Sequence, residues 1–434
     1  MSAPLQPPLP PAAPTEKLYW ADAHAFVFEA ASAAVAAHAG KPTLVLPQTM
    51  FYPEGGGQLG DIGTLALGAH LVQIVDTQIE DGRIHHVVGG TLPEGLAEAL
   101  SRSATEPVRV RGTIDETRRR DHMVQHTAQH ALSRALADAA RADTVSARLG
   151  ATSCTIDVSR PGLADADLHR AEDLVNSVVM SDVAVLTSFP TPEELAKLDL
   201  RKQPNAEKSA AGVRVVTIEG FDMSPCGGTH CTRTGQIGQI RIARTEKYKG
   251  MLRITFLAGR RALTDARARH DVLATLASEL TCGPQDVTGA VAKLRGEIRL
   301  LRESLASSRS ELAELVASRL RAALPSSPGP HVVPVMRPLD DLPGLRALAS
   351  EVTKDPRVVA LVGGCDAQSG EVVLVIQRGA DAKLDCGAFV MAQARASGGR
   401  GGGRPERAEG RFPRGTSLEV LAAAASASLR EREA

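Results

Sequence analysis

Short apolar runs separated by glycine and proline follow one another through the first part of the chain. The clearest are residues 44–46, 65–67 and 71–75. Runs of this length, bounded by residues that favour turns, are typical of β-strands. The sequence therefore predicts a small β-barrel or sheet over residues 16–110, with Tyr19 and Trp20 packed in its core. The Gly55-Gly56-Gly57 run within it is either a plain turn or a loop that lets a substrate approach the backbone closely.

The apolar spacing changes at about residue 111, where helical and strand-like patterns begin to alternate. The longest helical pattern covers about 115–137. Further strands are expected at 153–158, 213–218, 237–243 and 252–257, and further helices at 164–180 and 192–198. This mixture predicts an α+β domain over residues 111–257, with helices layered on a sheet.

Residues 258–325 have the pattern of long helices. Apolar residues recur there at alternating spacings of four and three, broken at Ser308 where another apolar residue would fall, and this pattern is typical of a coiled-coil seam. The seam consists of Val287, Val291, Leu294, Ile298, Leu301, Leu305, Leu312 and Leu315. It fits two arrangements equally well: an antiparallel helical hairpin within one chain, or a stalk that joins two chains in a homodimer.

Proline and glycine at 325–330 indicate a linker, and strands and helices alternate beyond it. Strands are expected at 332–335, 358–362 and 372–376, and helices at 342–353, 382–396 and near 417–429. Such alternation predicts an α/β domain with parallel strands over residues 326–434. The fold class is thus α+β multidomain: a small N-terminal β-barrel, an α+β domain, a helical coiled-coil hairpin and a C-terminal α/β domain.

Composition adds few constraints. A length of 434 residues calls for several cores, and 50 basic residues balance 50 acidic ones, so the whole chain gives no electrostatic indication of nucleic-acid binding. Six cysteines without paired spacing indicate a reducing, cytoplasmic setting. No apolar stretch is long enough to span a membrane. Residues 1–15, rich in proline and alanine, are expected to be a disordered leader and not a signal peptide.

Two pairs of metal-ligating side chains stand far apart in the chain. His126 and His130 are four residues apart, so both imidazoles lie on one face of the predicted helix. Cys226 and His230 flank a Gly-Gly-Thr run that can turn tightly. Together they form a three-histidine, one-cysteine set of the kind that Zn²⁺ takes in tetrahedral geometry.

The residues between the ligands exclude several classes of zinc site. A zinc protease helix has glutamate directly after the first histidine, where this chain has Thr127. A zinc nucleobase deaminase needs His-x-Glu and Pro-Cys-x-x-Cys, which this sequence does not supply. A zinc finger needs short spacings between ligand pairs. The remaining interpretation is a hydrolytic or binding site, with His122 as a supporting residue outside the ligand set and Cys231 as a bystander, since adjacent residues tend to point apart.

The runs around these ligands resemble the editing domain of alanyl-tRNA synthetases and its free-standing relatives, the alanyl-tRNA editing proteins. The matching runs are RRRDHMVQHTAQH (118–130), GFDMSPCGGTH (220–230), TGQIG (234–238) and the glycine-rich QTMFYPEGGGQLGDIG (48–63). A fifth run, GGGRPERAEG (401–410), resembles the signature of the domain that accompanies DHH phosphoesterases and ends alanyl-tRNA synthetases. The runs occur in the family's order.

The resemblance implies a zinc-dependent hydrolase that acts in trans on mischarged tRNA(Ala), chiefly Ser-tRNA(Ala) and also Gly-tRNA(Ala). It implies one zinc ion per chain. The implied residues are Thr49, Gln58, His126 and His130 for catalysis; His126, His130, Cys226 and His230 for zinc; and Gly55, Gly56 and Gly57 for the substrate loop. Thr49 is expected to contact the serine hydroxyl, unless it only caps the end of a strand.

Two other functions fit part of this pattern. The editing domain of threonyl-tRNA synthetases uses a similar ligand set to remove serine from tRNA(Thr). A tRNA-binding protein with zinc as a structural element, and without hydrolysis, is the second. A DHH phosphoesterase would need an Asp-His-His cluster, and the sequence contains none.

Arginine is concentrated among the glycines of residues 395–414, where six arginines stand against two glutamates. Arginines spaced among glycines favour a site for the nucleic-acid backbone, whereas the ordinary alternative is a solvated charged loop. The expected tRNA-binding residues are Arg400, Arg404, Arg407 and Arg411. The C-terminal domain is therefore predicted to supply affinity for tRNA and none of the chemistry.

Overall fold

The computed structural model describes residues 13–101, 108–204, 212–327, 329–338, 340–366 and 368–433. The chain falls into two compact units, one ending at Ala274 and the other beginning at Thr275. The finer division into five segments stays a prediction. Residues 1–12 of the expected disordered leader lie outside the described residues. Thr15, at the end of that leader, is buried, with its Oγ1 3.1 Å from the carbonyl oxygen of Leu46.

The first unit begins with a seven-stranded antiparallel sheet. Its strands are β2 (Val27–Ala30), β3 (Ala34–His38), β4 (Lys41–Val45), β6 (Gly63–Leu67), β7 (His70–Glu80), β8 (Arg83–Val88) and β9 (Val110–Ile114), in the order β2-β9-β6-β7-β8-β4-β3. Two short strands, β1 (Glu16–Lys17) and β5 (Gln48–Thr49), pair in parallel, and a short helix, α1, covers Leu96–Ser101. The predicted sheet is confirmed; since the described order is open, with β2 and β3 at its edges, the closed barrel stays a prediction.

The metal-ligand residues belong to an α+β region of the same unit. Its helices are α2 (Glu116–Ala140), α3 (Asp165–Met180) and α4 (Pro192–Leu195). One antiparallel sheet has the order β10 (Thr144–Leu149), β11 (Cys154–Val158), β16 (Met251–Ala258), β15 (Ile240–Tyr248), and a second has β12 (Val185–Ser188), β13 (Val215–Ile218), β14 (Asp222–Pro225). The predicted helices and strands are present, with shifted ends.

The start of helix α2 is stabilised by an N-cap residue. Asp115 is the N-cap residue and accepts a hydrogen bond from the backbone N–H of Arg118 at 2.9 Å, which satisfies one of the unpaired amides of the first turn. The middle of the helix is buried on most sides, with Met123, Leu132 and Leu136 in the core of the α+β region. The helix that carries two predicted ligands is therefore a central element of the fold.

Two long helices follow, α5 (Arg260–Glu279) and α6 (Val287–Ala322). The apolar seam of α6 is exposed: Leu301 is 69% exposed and Leu315 is 62% exposed. Helix α6 instead packs through Ala313 and Ala317 against a later helix, α7 (Leu342–Val352). No described residue covers the leucine seam as a hairpin partner would, and a homodimer through this seam stays a prediction.

The second unit ends in a five-stranded mixed sheet. Its strands have the order β17 (His331–Met336), β18 (Val358–Cys365), β19 (Val372–Arg378), β21 (Arg407–Phe412), β20 (Arg400–Gly403), and it carries helices α8 (Cys386–Ser397) and α9 (Leu418–Glu433) in addition to α7. Within the described strands of this sheet, only β17 and β18 pair in parallel. The prediction of a parallel sheet is therefore wrong for the rest.

The physical reason lies in the connections. Residues 366–371 join β18 to β19, and this span is too short for the crossover that parallel strands require. The glycine-rich run, for which the sequence predicts a loop, forms a β-hairpin of β20 and β21. None of the helices in the described part of the chain combines the length and apolar character that a membrane crossing requires.

A buried ion pair attaches α2 to the first sheet. Arg119 and Asp61 are both 0% exposed, and Arg119 Nε lies 3.0 Å from Asp61 Oδ2. The guanidinium also donates to the carbonyl oxygens of Ala23 and Met50, and Asp61 accepts the backbone N–H of Tyr52 at 2.7 Å. Because buried charges persist only when paired and hydrogen-bonded, this network fixes α2 relative to the glycine-rich loop.

Replacing Arg119 by methionine should lower the free energy of unfolding by about 3–5 kcal/mol, since Asp61 would be left as a buried charge without its partner. Chemical denaturation measures the loss. The matched control is Arg120→Met on the same helix, where the pair with Glu116 is exposed and worth less than about 1 kcal/mol. Equal losses in the two variants would contradict the role given to Arg119.

Candidate metal centre

Four side chains from two distant segments converge in the first unit. Helix α2 presents His126 and His130, and the turn after β14 presents Cys226 and His230. One ligand atom from each of the four lies within 4.8 Å of the others. The Sγ atom of Cys226 is 3.4 Å from His126 Nε2 and 3.2 Å from His230 Nε2. The three imidazoles are buried and Cys226 is partly exposed.

These separations fit a tetrahedral zinc site. Zinc bonds of about 2.0 Å to imidazole nitrogen and about 2.3 Å to thiolate give ligand-to-ligand edges of roughly 3.3–3.8 Å. The two sulfur–nitrogen distances are close to that range. A ligand set of three imidazoles and one thiolate is also of the borderline-soft type that zinc prefers. The residues therefore fit the metal that the sequence predicts.

The orientation of His126 is fixed by Gln58. Gln58 Oε1 accepts hydrogen bonds from His126 Nδ1 at 2.8 Å and from the backbone N–H of Thr229 at 3.2 Å. The amide nitrogen of Gln58 donates to the Thr229 hydroxyl at 2.9 Å. The backbone N–H of Thr229 can only donate, so the Gln58 atom that it contacts is the amide oxygen. Because that oxygen can only accept, His126 carries its proton on Nδ1. Its Nε2 lone pair is then free for a metal ion.

The same argument fixes His230. The hydroxyl of Thr127 donates to the carbonyl oxygen of Met123 at 2.8 Å, because a carbonyl can only accept. Its oxygen then accepts the backbone N–H of Cys231 at 3.0 Å and Nδ1 of His230 at 3.3 Å. His230 is thereby protonated on Nδ1, with Nε2 directed at Cys226.

His130 has a carboxylate behind it. Its Nδ1 lies 3.4 Å from Asp222 Oδ2, longer than an ideal hydrogen bond, with no closer polar partner among the described residues. Arg201 and Ser224 hold that carboxylate, at 2.7 and 3.0 Å. A carboxylate behind a ligating histidine is a common outer-shell arrangement in zinc proteins, where it sets the ring's tautomer and raises its basicity.

The electrostatics of the cluster favour a thiolate. Burial by itself would raise the pKa of the Cys226 thiol, but the imidazoles of His126, His230 and His130 hold it well below its usual range. Burial opposes charge on His130 as well, yet Cys226 and Asp222 raise its pKa to about 9. Burial lowers the pKa of His230 to about 3. A thiolate is the form of cysteine that binds metal.

Backbone geometry requires the second glycine of the Cys-Gly-Gly turn. A Cβ atom on Gly228 would lie 2.2 Å from His126 Cε1, whereas one on Gly227 would meet nothing within 4 Å. Arg214, which is buried, donates to the carbonyl oxygens of Cys226 at 3.0 Å and of Gly228 at 2.8 Å. The imidazole thus rests directly on the turn, and Arg214 closes the turn from the other side.

The glycine-rich loop lies next to this centre through Gln58. Gly55 and Gln58 exchange backbone hydrogen bonds of 3.0 Å, and the Tyr52 hydroxyl donates to the Gly55 carbonyl oxygen at 2.8 Å. Gly56 and Gly57 have φ angles of 59° and 86° and are exposed. They form the accessible part of the predicted substrate loop.

Thr49 lies in the interior of the first sheet region. It is 0% exposed, its Oγ1 lies 2.8 Å from His86 Nε2, and it accepts the backbone N–H of Phe51 at 3.1 Å. His86 donates from Nδ1 to the carbonyl oxygen of Leu44, so the Thr49 hydroxyl is the donor to Nε2. A contact between Thr49 and a substrate hydroxyl stays a prediction.

Two neighbouring residues lie outside the ligand set. His122 is buried one turn before His126 on α2, and burial lowers its pKa to about 4, so it is neutral. Burial raises the pKa of the Cys231 thiol to about 11. The outer partners Thr127, Asp222 and Arg214 were not identified from the sequence. Thr127 and Asp222 stand within four residues of a candidate ligand, which was the available signal, whereas Arg214 stands 12 residues before Cys226 and gave none.

The predicted tRNA-binding arginines lie in the other unit, on the β20–β21 hairpin, and all four are exposed. Arg400 lies 3.8 Å from Glu371, and Arg411 lies 3.2 Å from Asp366, so acidic neighbours partly neutralise these two. Arg404 and Arg407 lie at the hairpin turn, where their backbones exchange hydrogen bonds.

Comparisons with known proteins point in one direction. Residues 213–255 match the model described as "Threonyl and Alanyl tRNA synthetase second additional domain", and residues 15–99 match "tRNA synthetases class II (A)". The chain is 31% identical over 421 residues to an alanine–tRNA ligase of Korarchaeum cryptofilum, covering 92% of this chain and 44% of that protein. It is 31% identical over 425 residues to that of Haloquadratum walsbyi, covering 96% of this chain and 44% of the relative.

These matches confirm the resemblance drawn from the sequence motifs. The chain spans less than half the length of the relatives it matches. A solved structure, the C-Ala domain from Aquifex aeolicus alanyl-tRNA synthetase, covers 24% of this chain and 98% of its own at 14% identity, with a TM-score of 0.22. That score is too low to establish a shared fold.

Gly228→Ala should abolish stoichiometric zinc binding, because the added methyl group would displace the His126 ring from its position on the turn. Gly227→Ala is the matched control and should keep its zinc, since open space surrounds the added atom. Elemental analysis after dialysis against a weak chelator measures zinc per chain. Equal zinc retention in both variants would show that the ring does not depend on this contact.

Thr49→Val should lower the free energy of unfolding by about 1–3 kcal/mol, since the Phe51 amide and His86 Nε2 would lose their buried partner. Thermal or chemical denaturation measures this loss. Serine-to-alanine discrimination, measured on the same variant, tests the predicted substrate contact separately. If Thr49 contacts the serine hydroxyl, the ratio should fall by more than turnover does; an unchanged ratio would remove Thr49 from the substrate site.

Proposed function

We propose that this chain, a homologue of the alanine–tRNA ligases, hydrolyses the ester bond of mischarged tRNA(Ala), with Ser-tRNA(Ala) as the main substrate and Gly-tRNA(Ala) as a second one. One observation carries the proposal: three imidazoles, each with its Nδ1 facing an acceptor, converge with a thiolate beside an exposed glycine loop. The sequence match to the synthetase second additional domain includes Cys226 and His230.

The need for such an activity follows from the size of the amino acids. An active site for alanine excludes smaller or slightly larger side chains only weakly, because a missing methyl group or an added hydroxyl changes binding by a few kcal/mol at most. A second hydrolytic site corrects the resulting errors. Acting in trans, the protein would receive tRNA that another enzyme has charged.

The chain's own groups would hold and orient the substrate. The exposed backbone at Gly56 and Gly57 can approach the aminoacyl end closely, and Gln58 links this loop rigidly to His126. A zinc ion bound by His126, His130, Cys226 and His230 supplies a positive charge that favours attack on the ester carbonyl. The hydrogen bonds that His126 and His230 donate to Gln58 and Thr127 would keep these rings in one orientation.

A second candidate is a zinc-stabilised tRNA-binding protein without hydrolysis. The observation in its favour is the ligand count, since four protein ligands are typical of structural zinc sites and leave no free tetrahedral position. Editing of Ser-tRNA(Thr) is a third candidate, because the matched domain is shared by threonyl and alanyl synthetases.

A deacylation assay on three substrates separates these functions. Purified, zinc-loaded protein should hydrolyse Ser-tRNA(Ala) and leave both Ala-tRNA(Ala) and Ser-tRNA(Thr) near the uncatalysed rate. A His126→Ala, Cys226→Ala double variant is the negative control. Preference for Ser-tRNA(Thr) would overturn the tRNA assignment, and binding of tRNA without hydrolysis of any substrate would establish the non-hydrolytic function.

We further propose that the second unit supplies affinity for tRNA, through phosphate contacts by the arginines of the β20–β21 hairpin. Arg404 and Arg407 are the strongest of the four candidates, because neither forms an ion pair within the described part of the chain, whereas Arg400 and Arg411 face carboxylates. A homodimer through the exposed seam of α6 would bring two such hairpins to one assembly.

The Arg404→Ala, Arg407→Ala double variant should bind tRNA more weakly and reduce the slope of log affinity against log salt by about 1.5, at roughly 0.7–0.9 for each phosphate that is no longer neutralised. Its zinc content and maximal rate should be unchanged. Arg295→Ala with Arg302→Ala, on the exposed surface of α6, removes the same charge and is the control. An identical slope in the two double variants would remove the hairpin from the tRNA interface.

A further inference from the structure

Two aromatic rings in the first unit border an open cleft. Trp20, which is half-buried, has its ring centroid 5.7 Å from that of Phe189, and the two planes meet at 51°. Phe189 is 57% exposed. The cleft has a volume of about 460 Å³, within the range of small-ligand sites, and is lined by Thr15, Glu16, Lys17, Trp20, Ala21 and Phe189. We call the Trp20–Phe189 pair the aromatic shelf.

The aromatic shelf is attached directly to the candidate metal centre. Trp20 Nε1 donates a hydrogen bond of 3.1 Å to the carbonyl oxygen of Gly227, the residue that follows the predicted ligand Cys226. The Cα of Gly227 faces open space. One edge of the shelf, the indole N–H of Trp20, therefore contacts the turn that presents Cys226, and Gly227 has no side chain to block that contact.

Tyr19 shows by contrast that the shelf is more than core packing. Tyr19 is 2% exposed and meets Tyr52 edge-to-face at 5.4 Å, so it belongs to the interior. Its neighbour Trp20 packs against the same cluster but also lines the cleft, and Phe189 is contributed by a segment remote in sequence, just after β12. An aromatic side chain that is more than half exposed leaves apolar surface in contact with water and contributes little to the packing of the core.

A cation completes the shelf. Lys17 Nζ lies 4.5 Å from the centroid of the Trp20 ring, on a flexible side chain that starts in β1. Aromatic faces beside a lysine are the combination that binds single-stranded nucleic acid, in which bases stack on rings and phosphates meet cations. Glu16 also lines the cleft, so this charge is a local feature and not a broad basic surface.

We propose that the aromatic shelf binds the 3′-terminal nucleotide of the tRNA, with its base stacked on Phe189 and Trp20 and its phosphate paired with Lys17. This rests on the proposed function, because the ester to be cleaved is carried by the ribose of that nucleotide. A base on the shelf would place its ribose toward the Cys226–Gly227 turn. The shelf thereby supplies recognition of the RNA end that is independent of the amino acid attached.

The protein contains its own probe of this site, because Trp20 is its only tryptophan. Titration of the zinc-loaded full chain with adenosine 5′-monophosphate, and separately with uncharged tRNA, should change the emission of Trp20 in a saturable way. Neither probe carries an ester, so the measurement does not depend on hydrolysis. Unchanged emission with both probes would overturn the proposal.

Substitutions locate the contact. Phe189→Ala should weaken binding of uncharged tRNA roughly tenfold, the size expected for loss of one stacked base. It should raise the KM for mischarged tRNA and leave kcat within a few-fold. Phe189→Tyr should restore binding, since it keeps the ring. The matched control is Leu186→Ala, an apolar residue of β12 that is 54% exposed and lies outside the cleft.

The outcomes separate the shelf from the proposed function. If Trp20 reports binding and Phe189→Ala weakens it, while no aminoacyl-tRNA is hydrolysed, the shelf stands and the editing function fails. If Ser-tRNA(Ala) is hydrolysed but Phe189→Ala and Leu186→Ala bind alike, the editing function stands and the shelf fails. Lys17→Gln adds a check, because removal of its charge from the phosphate should lower the salt slope by about 0.7.

Discussion

The candidate centre depends on which nitrogen of each imidazole carries the proton. Gln58 and Thr127 accept from the Nδ1 atoms of His126 and His230, and Asp222 lies 3.4 Å from that of His130, so Nε2 is the atom that each ring turns toward a metal ion. A histidine with the opposite tautomer would present a proton to the metal and could not bind it. Ligand residues alone therefore do not make this site; their acceptors do, as in other zinc proteins whose outer partners set affinity.

Those acceptors come from several elements, which explains why the surrounding fold is so constrained. Gln58 belongs to the glycine-rich loop of the first sheet region, whereas Thr127 lies on the ligand-bearing helix. The buried Arg119–Asp61 pair holds that loop and that helix together, and Arg214 holds the Cys-Gly-Gly turn. A small displacement of the loop would move Gln58 away from His126, so stability and site geometry are linked through the same contacts.

The sequence predicts the parts of this structure that depend on local pattern. Spacing on one helix and across one short turn was sufficient to identify four side chains that converge, and the helix carrying His126 and His130 begins within one residue of its expected start. Outer partners such as Asp222 depend on how distant strands pair, which spacing does not encode. The interior position of the Thr49 hydroxyl depends in the same way on His86, from another strand.

The C-terminal sheet shows the opposite limit. Apolar runs located the buried strands of this sheet. The alternation of strands with helices indicated parallel pairing, but only one pair of the described strands in this sheet is parallel. Strand direction is decided by connection length, and a run of glycines resembles a loop even where, as at residues 400–403, it forms a strand. The sequence predicts core packing for Trp20; its ring packs against the cluster of Tyr19, Tyr52 and Ile84, and it also borders a cleft, where its Nε1 donates to the Gly227 carbonyl oxygen.

X-ray absorption spectroscopy at the zinc edge of the reconstituted protein tests the central claim most directly. The account predicts one sulfur at about 2.3 Å and three nitrogens at about 2.0–2.1 Å, with the imidazole scattering of three histidines. Replacing Cys226 by serine should remove the sulfur shell. A shell of two sulfurs, which would bring Cys231 into the site, or a six-coordinate oxygen-rich shell, would contradict the account.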